Sequence, residues 1–124
     1  MTGFIVFGHG SRVESANQAV REVALRMAEA GSYWAEPAFL ELGEPDLAGA
    51  VGRLTQRGAT EIVVLPYFLT LGTHLLRDLP VLVRQASQEH HDVTISIAPP
   101  LDGHPALVQV LLDRAGAALA GVPR

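Results

Sequence analysis

The run Glu61-Ile62-Val63-Val64-Leu65-Pro66 decides the fold. Its interior is apolar on both faces and largely β-branched, the composition of a central strand in a parallel sheet covered by helices. Upstream, Pro45-Asp46 opens a helical pattern through Leu47, Ala50, Val51 and Leu54 that Gly58 ends. Before that helix, residues 35–42 read as a weaker strand, with Pro37 near its start as expected close to a sheet edge. The chain begins with another strand, Phe4-Ile5-Val6-Phe7, broken by Gly8 and Gly10. Between these two strands Ala16, Ala19, Val20, Val23, Ala24 and Met27 recur at helical steps up to Gly31.

Downstream of the central run, residues 67–73 form a connection. A third helix follows, from His74 or Leu75 to Glu89, with Pro80 in its first turns, where the missing N–H matters least. Residues 92–98 read as a fourth strand, 99–105 as a loop and 106–119 as an amphipathic helix; the tail 121–124 should fray. Strands alternating with helices imply right-handed crossovers and a parallel sheet. The expectation is one α/β domain over residues 1–124: a doubly wound, parallel, four-stranded sheet in the order 2-1-3-4, helices on both faces. Ligands of such sheets bind beyond the C-terminal strand ends, near the point where the winding reverses.

Composition narrows the chemistry. A chain of 124 residues, 48% of them apolar, can build a core without disulfide or structural metal. It contains no cysteine, which excludes a thiolate metal site and a cysteine nucleophile. Every basic residue is arginine, so Schiff-base catalysis by lysine is impossible. The net charge is −4 and the arginines are dispersed among acids, with no basic stripe for nucleic acid. No apolar stretch approaches the roughly 20 residues that span a bilayer. The first residues lack a charged leader, so the cytoplasm is the default location.

The candidate chemistry lies in the connections after the strands. Gly8-His9-Gly10-Ser11-Arg12 holds a histidine between two glycines, barely shielded and able to approach a ligand closely. It serves equally well as a loop histidine bonded to backbone. The spacing fits neither a dinucleotide fingerprint nor a P-loop. In the apolar stretch Phe68-Leu69-Thr70-Leu71-Gly72-Thr73-His74 a second histidine falls on the same expected rim, either as a ligand or as a residue at a helix start. Glu41 is a charge in an otherwise apolar run, which is costly unless paired, cation-bound or solvent-facing. Glu44 reads as a helix cap. His9, Glu41 and His74 recur one βα unit apart. Together they suit a borderline divalent ion such as cobalt, nickel, iron or zinc, with open coordination positions left for reaction. His90-His91 reads as a solvated turn, and His104 as a capping or surface residue.

Several of these stretches resemble the class II chelatase family. They are Phe7-Gly8-His9-Gly10-Ser11-Arg12, the block 66–80 (PYFLTLGTHLLRDLP), Phe39-Leu40-Glu41, and Ala98-Pro99-Pro100-Leu101 with His104-Pro105. The likeness runs in order through nearly the whole chain and is greatest to the small, single-domain sirohydrochlorin chelatases. It implies paired α/β domains around a cleft, hence a homodimer for a chain with one such domain. It implies sirohydrochlorin as the tetrapyrrole substrate, on the route to sirohaem or cobalamin. His9 and His74 would be the catalytic histidines and, with Glu41, the metal ligands. Phe68, Leu69 and Leu71 would line the macrocycle, while Ser11, Arg12 and Arg77 would engage its carboxylates. The metal, Co²⁺ or Fe²⁺, is a substrate, and no other cofactor is expected. The chain has no histidine-rich run, which ranks nickel lower.

Three other readings compete. His9 as a phosphoryl nucleophile would need an arginine cluster, and only Arg12 is near. A non-catalytic carrier could deliver cobalt or iron with the same ligands. In an interaction domain without chemistry, Gly-His-Gly would be only a tight turn.

Overall fold

The computed structural model describes residues 1–121. Its elements alternate as β1 (Thr2–Gly8), α1 (Glu14–Gly31), β2 (Trp34–Phe39), α2 (Leu47–Gln56), β3 (Glu61–Pro66), α3 (Thr73–Glu89), β4 (Thr94–Ile97) and α4 (Ala106–Leu119). All strands are parallel, in the order β2-β1-β3-β4. The class and strand order are those expected. The winding reverses between β1 and β3, so the connections after both open at the switch point. The expected fraying tail falls on 122–124, outside the described residues, apart from Gly121.

The sheet register sorts the core into two layers. On one face Ile5, Phe7, Ala38, Ile62 and Val64 pack under Leu47, Ala50, Val51 and Leu54 of α2 and Leu79, Val83 and Ala86 of α3. Each large apolar side chain buried this way contributes about 1.5–3 kcal/mol. Close approach of α2 requires Gly3, because a Cβ there would stand 2.9 Å from a Leu54 methyl. On the opposite face a smaller cluster joins Val6 and Phe39 to Val20 and Ala24 of α1. The Arg21 guanidinium caps it, lying 5.2 Å from the centre of the Phe39 ring.

The second face is covered only in part. Helix α1 lies over β1 and β2. Beyond it Val63 and Leu65, in register with Phe4 and Val6, are only half-buried, and Ser96 beside Val63 is exposed. The expectation of complete cover on both sides of the central strand therefore fails on this side. Helix α4 has the expected bounds but buries none of its residues. Its Val108, Val110, Leu111, Leu112 and Leu119 are 48–91% exposed. Among the described residues its apolar side chains find no core, so the expected amphipathic packing is absent there.

Other departures have local causes. β2 ends at Phe39 rather than residue 42, because Leu42 takes a left-handed φ of 56° and turns the chain away. Helix α1 is closed by Ser32, also left-handed, one residue after Gly31. On its inner face Asn17 is buried, whereas Ala16 and Ala19 are exposed. Asp46, not Glu44, caps α2, accepting from the Gly49 N–H at 2.8 Å. α3 begins at Thr73, which puts Pro80 in its interior rather than its first turns. Pro80 and Leu76 are both exposed, so water can serve the Leu76 carbonyl that proline leaves without its helical donor. Among the described residues no helix is long and apolar enough to cross a membrane.

Candidate active site

The connections after β1 and β2 are joined by backbone hydrogen bonds that outlast the strands. Leu40 N–H donates to the Gly8 carbonyl at 3.0 Å, and Glu41 N–H to the His9 carbonyl at 3.1 Å. His9 and Glu41 thus stand side by side on adjacent connections, both exposed. Glu41 lies just past β2 rather than within it. Gly10 makes this approach possible: its φ is +92°, and a Cβ there would fall 1.6 Å from the Glu41 carbonyl oxygen. The His9 ring has Nδ1 3.1 Å from the Gly10 carbonyl. That carbonyl can only accept, so the bond puts the proton on Nδ1 and leaves the Nε2 lone pair free for a metal or a proton.

His74 is the second residue of α3, exposed on the connection after β3. Its Nδ1 accepts from the Arg77 guanidinium at 3.1 Å. Arginine is only a donor, so in this bond Nδ1 is the acceptor and the ring carries its proton on Nε2. Coordination through Nδ1 requires Arg77 to swing aside. Arg77 also lies 3.5 Å from the Asp78 carboxylate. Among the described residues no three histidine, aspartate or glutamate side chains form a group able to hold a metal ion. His9, Glu41 and His74 therefore share the C-terminal rim without forming a closed ligand set in the free chain.

The remaining rim residues divide by burial. Arg12 is exposed. Ser11 is half-buried; its Oγ accepts from Val13 N–H at 3.0 Å, and its own O–H remains available to donate. Phe68 packs against Phe7 with ring centres 6.2 Å apart, and Leu71 is half-buried. Leu69 is 65% exposed, and Val13, Leu42, Tyr67 and Leu76 are also exposed. The loop after β4 is tied to the connection after β3, since Leu101 and Asp102 N–H groups donate to the Phe68 and Leu69 carbonyls at 2.9 and 2.8 Å. His104 accepts from Ala106 N–H at 3.0 Å, at the start of α4. His90 terminates α3, and His91 is exposed in the turn that follows.

Glu14 opens α1 just after the first connection. The Arg21 guanidinium, through a hydrogen bond and its charge, holds that carboxyl below the usual carboxylate range. One residue near the site escaped the sequence reading. Asn17 lies on the inner stripe of α1 with Val20 and Ala24, a position its spacing from them gives away.

The CbiX family pattern matches residues 3–118 of the chain. Sirohydrochlorin ferrochelatase, chloroplastic, of Arabidopsis thaliana is 36% identical over 113 residues, covering 90% of this chain but 50% of the plant protein. Sirohydrochlorin cobaltochelatase of Methanopyrus kandleri is 31% identical, over 96% of this chain and 98% of its own length. A putative cobalamin biosynthesis CbiX protein from Marinobacter aquaeolei superposes with a TM-score of 0.85 at 30% identity, covering 97% of this chain and 98% of that one. The sirohydrochlorin chelatase SirB from Bacillus subtilis subspecies spizizenii, in complex with cobalt, superposes with a TM-score of 0.82 at 28% identity. This chain matches 50% of that SirB chain, about half the length, as with the plant relative.

Proposed function

The chain belongs to the CbiX family, and on that premise we propose that it is a sirohydrochlorin chelatase, a lyase-type enzyme that inserts cobalt or iron into the tetrapyrrole during cobalamin or sirohaem synthesis. The observation that carries the reading is the rim: two exposed histidines and an exposed glutamate on successive connections, beside an exposed apolar fringe. Insertion of M²⁺ into the free macrocycle forms four metal–nitrogen bonds, releases two pyrrole protons and changes no oxidation state. The protein must hold a partly desolvated ion weakly enough to surrender it and must accept the protons. Open, incomplete ligation suits that task better than a closed structural site.

In this reading His9, through Nε2, and His74 bind the metal and then take up the pyrrole protons, with Glu41 as a further ligand or an orienting carboxylate. Phe68, Leu69 and Leu71 lie along the macrocycle. Arg12, Arg77 and Ser11 meet its carboxylates. Engagement of Arg77 by a substrate carboxylate would draw it off His74 and free Nδ1 as substrate arrives. The metal is a substrate, Co²⁺ or Fe²⁺, with Ni²⁺ ranked lower.

The reading includes a single chelatase-like domain that acts as a homodimer, with a cleft formed between two copies. Two features support it. Relatives about twice as long align with this chain over half their length. The chain also has one spare apolar helix, α4, and an incompletely covered stretch of sheet at the half-buried Val63 and Leu65. The plant relative's name places that protein in the chloroplast; for this chain the cytoplasm remains the proposed location, to be checked by fractionation of its source cells.

The test is spectroscopic. Purified protein mixed with sirohydrochlorin and Co²⁺, or Fe²⁺ under anaerobic conditions, should shift the tetrapyrrole spectrum many times faster than metal and buffer alone. A carrier would bind the metal and leave the insertion rate at its background value, which would refute the enzyme.

A further inference from the structure

Asn17 is only 1% exposed, in an otherwise apolar layer between α1 and the sheet. A primary amide in such a place is costly unless its donors and acceptor are used. Three of its hydrogen bonds are directed at the active-site connections. Its Oδ1 accepts from Ser11 N–H at 2.8 Å. Its Nδ2 donates to the Ser11 carbonyl at 2.9 Å and to the Leu42 carbonyl at 2.8 Å. The first two bonds close a ring on the backbone of the connection after β1, two residues beyond His9. The third reaches the connection after β2, one residue beyond Glu41.

We propose that Asn17 is a positioning residue, a clamp that fixes His9 and Glu41 relative to each other on one rigid platform. Independent features of the fold converge on the same place. Leu42 adopts φ +56°, which a branched apolar residue rarely does, and the Asn17 amide holds its carbonyl there. At Gly43 a Cβ would stand 2.9 Å from the Phe39 ring and 3.2 Å from Asn17 Nδ2, so the loop is closely fitted around the amide. Gly10 lets the two connections touch, and the Glu41 N–H to His9 carbonyl bond forms between them. The clamp bears on one half of the rim only. None of its bonds reaches the segment 67–74 that carries Phe68, Leu69, Leu71 and His74. No other side chain bonds both connections among the hydrogen bonds described. Breaking a hydrogen bond made directly to a metal ligand typically changes metal affinity or activity about 10- to 100-fold; Asn17 acts further out, through the backbone of the connections that carry His9 and Glu41.

The inference rests on the reading of His9 and Glu41 as metal-binding residues, and its test separates the two. Asn17→Leu keeps the branched outline and removes all three bonds. Asn17→Asp keeps the acceptor for Ser11 N–H and loses both donations, and it serves if the leucine variant does not fold. Two quantities are measured on the full chain: amide hydrogen exchange, and Co²⁺ affinity by calorimetry, with His9→Ala as a control.

Loss of the clamp should speed exchange at Glu41 at least about tenfold while Ile5 and Val64, in the core strands, hold their rates. Co²⁺ should bind about 10-fold more weakly, at the lower end of that range. Where the assay with sirohydrochlorin reads activity, the KM for Co²⁺ should rise by the same factor as the loss of Co²⁺ affinity. Unchanged exchange at Glu41, or equal acceleration throughout the core, overturns the clamp. Faster exchange at Glu41 with unchanged Co²⁺ affinity also overturns its positioning role, provided that His9→Ala weakens binding. If His9→Ala leaves Co²⁺ affinity unchanged, the metal reading fails, and exchange at Glu41 alone decides whether the clamp exists.

Discussion

Gly10 and Asn17 do more to shape the rim than the side chains that face the solvent. Gly10→Ala would put a methyl group 1.6 Å from the Glu41 carbonyl oxygen on a backbone already at φ +92°, so the two connections must part. The expected cost is about 2–4 kcal/mol in denaturant unfolding, with a fall in activity larger than the loss of folded protein explains. An alanine variant as stable and active as the parent would contradict the close fit described here. The proposed site residues stand out in the sequence: a histidine framed by glycines and a glutamate among apolar residues are both awkward without a purpose. Their surroundings are less legible there. That Arg77 occupies His74 Nδ1, or that Asn17 spans two loops, depends on rotamers and on register between distant segments, which periodicity does not encode. Even so, Asn17 stands at steps of three and seven from Val20 and Ala24, so its burial could have been read from the helical stripe.

Among the elements, strands were easier to read than helix faces. The apolar run 61–66 gave β3 its observed limits, because both its ends are marked by a change of composition. β2 was read too long: residues 40–42 keep the apolar character of a strand, and only the left-handed Leu42 ends it. α3 is the clearest element-level test. Pro80 sits in its interior, exposed, where it removes one N–H donor. Pro80→Ala should restore that bond and raise stability by about 1–3 kcal/mol, seen as a higher Tm with β-sheet signals unchanged. A lower Tm would mean that the proline ring supports packing which the exposed position does not suggest. α4 was read with correct limits and the wrong surroundings. Its composition resembles a core helix, and composition alone says that such a helix is covered without saying by which chain.

At the scale of the molecule, parallel strands in the order β2-β1-β3-β4 deliver three connections to one rim, and one face of the sheet is only partly covered at Val63, Leu65 and Ser96. If a second copy covers that face, the protein sediments at twice its 13.2 kDa mass at micromolar concentration. Leu111→Asp combined with Leu112→Asp, both on α4, should then shift it towards the monomer without unfolding the sheet. A species of monomer mass in the parent protein, still active, would remove the dimer from the account. The topology was accessible from alternation and handedness, whereas the dimer contact requires a second chain. The central claim, that this rim performs metal insertion, is tested most directly by the initial rate of Co²⁺ insertion into sirohydrochlorin for the parent, His9→Ala and His74→Ala. The account predicts a marked acceleration over buffer in the parent, with each variant reduced at least about a hundredfold towards the background rate. Full rates in both folded variants would contradict it.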